Sequence, residues 1–177
     1  MKTKSKRAAS SDQRSARARG GVTVVKTLRR CSNWPAMLDL FIEEKRHQPF
    51  DWRHNNCAFF ASDWIVILTG GEDPARAFRR GVTSPLTAAR RLRAAGGLEQ
   101  LAADYCAAHG WPECPVGQAQ RGDWAMVMVD AAGIVGGQGA CAAYALGVVL
   151  GRVVAHAGPQ GVVFVPKALA RRAWRIG

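Results

Sequence analysis

Two periods of apolar residues divide the chain. From residue 34 to residue 108 the large hydrophobic side chains recur at helical spacing, and from residue 124 to residue 165 they fall in short β-branched runs separated by glycine-bearing turns. Met37, Leu38, Phe41 and Ile42 make one stripe of a helix that Ser32 or Asn33 caps, Pro35 opens and Arg46 closes. The stretch Cys57 to Thr69 is different, because only Ser62, Asp63 and Thr69 interrupt its apolar residues. Asn55 and Asn56 are good N-caps and Gly70 a natural C-cap, so a helix is predicted over 57–69 with too little polar surface to lie on the outside. Asp73-Pro74 opens a short helix ending before Gly81, and Ser84-Pro85 opens another from Leu86 to Ala95. After Gly96-Gly97, the stripe Leu98, Leu101, Ala102, Tyr105 and Cys106 runs towards Gly110.

The predicted strands are Trp124 to Val129, Tyr144 to Leu150, Arg152 to Ala157 and Val162 to Val165, with turns at Gly133, Gly151 and the GPQG of 158–161. Pro166 then opens a last predicted helix carrying Leu169 and Trp174. Helices followed by an antiparallel meander make an α+β layout, with a central buried helix packed on the sheet.

Charge changes the picture only at one end. The 177 residues carry a formal net charge of +12, but residues 1–30 hold ten Lys or Arg against the single Asp12, which leaves the rest close to balance. Residues 1–30 are read as a basic N-terminal extension, expected to be disordered for want of apolar periodicity, and residues 31–177 as one domain. Nucleic-acid binding through that tail is not expected, because no aromatic residue interleaves with its charges. Nor is there a run of about eighteen apolar residues to cross a bilayer, so a soluble chain made in the cytoplasm, without a membrane span, is expected. The five cysteines, Cys31, Cys57, Cys106, Cys114 and Cys141, are odd in number and form no CxxC pair. That argues against a disulfide framework and against a zinc site, and no metal or cofactor is expected.

Chemistry is best sought at Cys57. A cysteine in the first turn of a buried helix meets free backbone N–H groups and the positive end of the helix dipole, which favour thiolate. A buried packing role is the competing reading. His54 lies three residues upstream, and His47 and His109 stand at helix ends. Asp123, after Gly122, either orients a histidine or caps the turn into the first strand, and turn chemistry alone explains it.

The residues around these positions resemble the NlpC-type cell-wall peptidases, a branch of the papain-like superfamily. Phe50-Asp51-Trp52-Arg53 leading to Asn56-Cys57 is similar to that family's approach to its nucleophile, and Arg121-Gly122-Asp123-Trp124 to its first sheet strand. Ala145-Leu146-Gly147-Val148-Val149-Leu150-Gly151, then His156-Ala157, then Gly161-Val162, follow its later strands. More narrowly, PF-x-W before the cysteine, Thr-Gly-Gly-x-Asp-Pro after the helix and the closing Ala-Trp-Arg resemble a group of phage tail proteins within that superfamily.

The resemblance implies a papain-like fold over about residues 34 to 176, with Cys57 as nucleophile and His156 as the third member of a triad. It places the base at Ala145, which has no imidazole. Phe50 stands where many relatives have a tyrosine hydroxyl, and Asn56 where they have aspartate. Losing one oxyanion donor costs on the order of two to four kcal/mol of transition-state stabilisation, and losing the base leaves the thiol unactivated. The expectation is a structural or assembly protein at the tail tip, with other tail proteins as partners and the virion tail as destination. The alternative is an active cysteine peptidase or amidase on peptidoglycan stem peptides, with His156 or His54 as base. If Leu150 sits opposite Val153 and Gly147 opposite His156, then Ala145 and His156 share one sheet face as diagonal neighbours.

Overall fold

In the computed structural model, residues 28–129 and 144–177 are described; Gly133, Cys141 and nearly all of the basic extension lie outside them. Helices α1 (Trp34–Lys45), α2 (Cys57–Thr69), α3 (Arg76–Arg79), α4 (Pro85–Ala94) and α5 (Leu98–Ala108) come first. Strands β1 (Glu113–Cys114), β2 (Trp124–Met128), β3 (Tyr144–Val149), β4 (Val153–Gly158), β5 (Gly161–Pro166) and β6 (Ala170–Trp174) follow. Among the described residues these strands form one antiparallel sheet in the order β1-β6-β2-β3-β4-β5. The protein is therefore α+β, and β2 to β5 make the expected meander.

The C-terminal helix expected after Pro166 is not there. Lys167–Leu169 is a single 3-10 turn, and Ala170–Trp174 is strand β6, which slots between β1 and β2 with Trp174 opposite Trp124 and Ala173 opposite Ala125. Pro166 ends β5 rather than opening a helix. Residues 28–30, expected in the extension, are instead tied into the domain: Arg30 donates to Ile176 O, Arg121 O and Asp123, and Trp111 Nε1 donates to Leu28 O.

Local chemistry fixes α2. The Asn56 side chain accepts from Phe59 N at 3.0 Å, and Gly70 closes the helix at φ 63°. The helix lacks a polar face because it is covered on two sides. Phe60, Trp64, Ile65 and Leu68 join the core that α1, α5 and the sheet share, while Phe59 packs with Ala75, Val82 and Ala88 from the α3–α4 region. Two tryptophans lock helix to sheet: Trp64 Nε1 donates to Gly122 O at 2.8 Å and Trp124 Nε1 to Ala61 O at 3.0 Å, so neither buried indole is left unpaired. Asp63, the one charge on the helix, is met by Lys45 at 3.1 Å and Arg79 at 2.5 Å.

Candidate active site

The segment before Cys57 is a compact polar turn. Asp51 and Asn55 exchange backbone hydrogen bonds, and Asp51 Oδ1 accepts from the N–H groups of Arg53 and His54. Asn55 Nδ2 holds the carbonyls of Gln48 and Pro49, and Asn56 Nδ2 holds that of Trp52. Phe50 N donates to Gly158 O at 2.8 Å, and its ring meets Trp52 edge-on. The turn thus bridges the end of β4 to the head of α2. His54 is on its outer side, 82% exposed, with Nδ1 2.8 Å from Asp51 Oδ1.

The sheet has an irregularity at this place. β3 and β4 pair with Val148 opposite Ala155 and Val149 opposite Val154, and Leu150 N donates to Val153 O at 2.8 Å. This is the expected register, but pairing ends one step before Gly147 would meet His156. In an antiparallel ladder every second pair exchanges two hydrogen bonds, so the next such rung after Val148 and Ala155 belongs to Leu146 and Ala157. That rung is not made. The N–H of Leu146 lies near the sulfur of Cys57 and favours its thiolate, as do the N–H groups of Ala58 and of Cys57 itself. The carbonyl of Ala157 is 2.9 Å from Nδ1 of His156. Gly147 lies at the parting, where a Cβ would stand only 2.5 Å from Ala155 O.

Parity assigns the side chains. Leu146, Val148, Ala155 and Ala157 point into the helix-covered core, whereas Ala145, Val149 and Val154 belong to a smaller cluster on the second face, with Ala125, Val127 and Ala173. Cys57 packs against this second cluster although the rest of α2 covers the first. His156, two residues after Val154, has the same parity and so shares the face of Ala145. The structure thus brings together Cys57, the backbone beside Ala145, and the strand carrying His156; His54 faces solvent.

Burial dominates the electrostatics. It pushes the Cys57 thiol above its ordinary value, against the three N–H groups that favour thiolate, although the residue as a whole is only half-buried. It likewise pushes His156 below the ordinary imidazole value, partly offset by the Ala157 carbonyl. A carbonyl can only accept, so Nδ1 of His156 carries the proton and Nε2 holds the lone pair. Nε2 is buried and has no hydrogen-bond partner among the described residues. A histidine whose folded pKa is depressed contributes stability above the free value of about 6.5, which is lost as pH falls towards the folded value. The denaturant midpoint is therefore expected to drop between about pH 7.5 and about pH 5.5, and His156→Gln to flatten that drop; an unchanged slope in the variant would remove His156 as its source.

Asp123 is a tie, not an orienting partner for a histidine. It is fully buried, with Oδ2 accepting from Gln120 N at 2.7 Å and Oδ1 from Arg30 Nη2 at 2.5 Å and Ile176 N at 3.0 Å. Burial raises its carboxyl and lowers the Arg30 guanidinium, each offset by the other's charge. His109 caps α5 through Tyr105 O at 2.8 Å. Among the described residues no three His, Cys, Asp or Glu side chains are arranged to hold a metal, and no helix is long and apolar enough to cross a membrane.

What fold and site define is an α+β domain in which a cysteine at the head of a buried helix fills a gap in an antiparallel sheet. The chain belongs to the DUF6950 family, a domain of unknown function, which matches residues 29–176. No curated protein and no solved structure matches it.

Proposed function

We propose that the chain is a papain-like domain of the NlpC type whose cysteine centre has lost its base, and that it serves as a structural or assembly part of a phage tail tip. The observation that carries this reading is an alanine at position 145 together with an unpartnered, buried imidazole at His156 on the neighbouring strand. A methyl group stands where the resemblance puts the base, next to the residue whose N–H meets the Cys57 sulfur, and the imidazole meant to partner that base is buried with Nε2 unmet. An orphaned buried nitrogen is costly, and it is what remains when one member of a hydrogen-bonded pair is replaced by alanine. With no neighbouring imidazole at position 145 and with burial raising the thiol, Cys57 stays protonated at neutral pH and is a poor nucleophile. The tail context rests on the PF-x-W, Thr-Gly-Gly-x-Asp-Pro and Ala-Trp-Arg segments.

One observation favours the second reading, an active peptidase or amidase on peptidoglycan stem peptides. His156 shares by parity the sheet face that Cys57 packs against, and its Nε2 lone pair has no partner among the described residues, which makes it the candidate base. His54 is the weaker candidate, held in solvent by Asp51.

Alkylation separates the two. Iodoacetamide is expected to modify Cys57 at about pH 6 no faster than free cysteine, measured as the difference between wild type and Cys57→Ser, and wild type is expected to release no muropeptides. Ala145→His is expected to speed the alkylation. Fast labelling of wild type together with muropeptide release that Cys57→Ser abolishes establishes the peptidase instead.

A further inference from the structure

The near balance of charge in the folded part conceals a division. Residues 74–98, which hold α3 and α4, contain six arginines, no lysine and no acidic residue. Outside them and residues 1–30, twelve acidic residues outnumber nine basic ones. Two of the six arginines are structural. Arg79 is neutralised by Asp63 and Asp73, at 2.5 and 2.6 Å, and lies over the Phe59 ring. Arg91 crosses from α4 to α3, donating to Ala77 O at 3.1 Å, and its guanidinium fills the space beside Gly81, where a Cβ would come within 1.9 Å of Nη2. That brace ties the two helices together.

The other four, Arg76, Arg80, Arg90 and Arg93, are exposed and, among the described residues, in no ion pair or side-chain hydrogen bond. Arg76 and Arg80 are four apart and Arg90 and Arg93 three apart, so the members of each pair are neighbours of like charge and repel each other. Folding gains nothing from them.

We propose that the exposed arginines of α3 and α4 bind the phosphate backbone of duplex DNA without sequence preference. Guanidinium forks suit phosphate oxygens, and four of them free of internal partners make a row of backbone contacts. Single strands are a poorer fit, because the one aromatic ring of α3 and α4, Phe78, is half-buried against the Phe59 cluster rather than free for base stacking. The inference does not depend on whether Cys57 turns over a substrate.

The test is titration of a labelled random-sequence duplex with the full chain over a range of salt. The variant Arg76→Gln, Arg80→Gln, Arg90→Gln, Arg93→Gln is expected to bind about tenfold more weakly at about 0.1 M salt and to lower the slope of log affinity against log salt by about 3. Its circular dichroism and melting temperature should match wild type, since Arg79 and Arg91 are kept. A full-length chain with glutamine for every Lys and Arg before position 20 is expected to retain the arginine-dependent part of the binding. The proposal is overturned if the fourfold variant binds as wild type does, if the tail variant alone abolishes binding, or if polyglutamate competes as well as duplex, which would mark an acidic protein as the partner.

Discussion

Asp123→Ala is expected to destabilise the domain by about 3–5 kcal/mol, the usual cost of breaking one side of a buried ion pair. The carboxylate is fully buried and serves three donors, so its loss strands the Arg30 guanidinium and the N–H groups of Gln120 and Ile176 together. These donors come from the start of the domain, the turn into β2 and the C-terminal end, and Asp123 is where the three meet. Asp123→Asn keeps the shape but not the charge and should recover only part of the loss. Denaturant midpoints provide the comparison; a cost under about 1 kcal/mol for the alanine variant would mean that water or rearrangement replaces the tie.

Gly161→Ala should be comparably severe for a steric reason. Gly161 has φ +136°, and a Cβ there would lie 1.9 Å from the Arg46 carbonyl oxygen and 2.9 Å from its carbon. Both are backbone atoms, and the same carbonyl accepts from Val162 N at 3.1 Å, so neither partner has a soft side chain that can yield. Strain of this kind with a blocked approach costs about 3 kcal/mol or more, a fall of about 10 °C in melting temperature for a domain of this size. The junction also sets the α1 end beside the turn that leads to Cys57, so the variant should expose the thiol to alkylation below its melting temperature. A variant that melts with wild type would show that β5 can slide away from α1.

The sequence made α2 legible to the residue because its signals are local: an asparagine that caps within three residues and a glycine that tolerates a left-handed turn. The register of β3 on β4 was equally readable from the Gly151 turn. Strand β6 was not. Ala-Arg-Arg-Ala-Trp shows no clean alternation, and a proline ahead of it imitates a helix start. Its partner β2 begins some forty residues earlier and shifts register at Met126 and Val127. At the site, Cys57 could be named from its place at the head of a buried helix, whereas Ala145 and His156 were named only through the family resemblance. The two that sequence reasoning missed, the N–H of Leu146 and the carbonyl of Ala157, are main-chain groups that carry no letter, and only the broken ladder reveals them. Arg30 was missed because nothing in a basic tail marks which cation turns inward.

The broken ladder also bears on what Cys57 does for the fold. Its sulfur stands near the Leu146 amide where β3 and β4 part, so the side chain contributes to the packing of the sheet whether or not it reacts. Cys57→Ser keeps a polar atom near that amide and Cys57→Ala does not, so a thiol at this position is useful to the fold independently of any turnover.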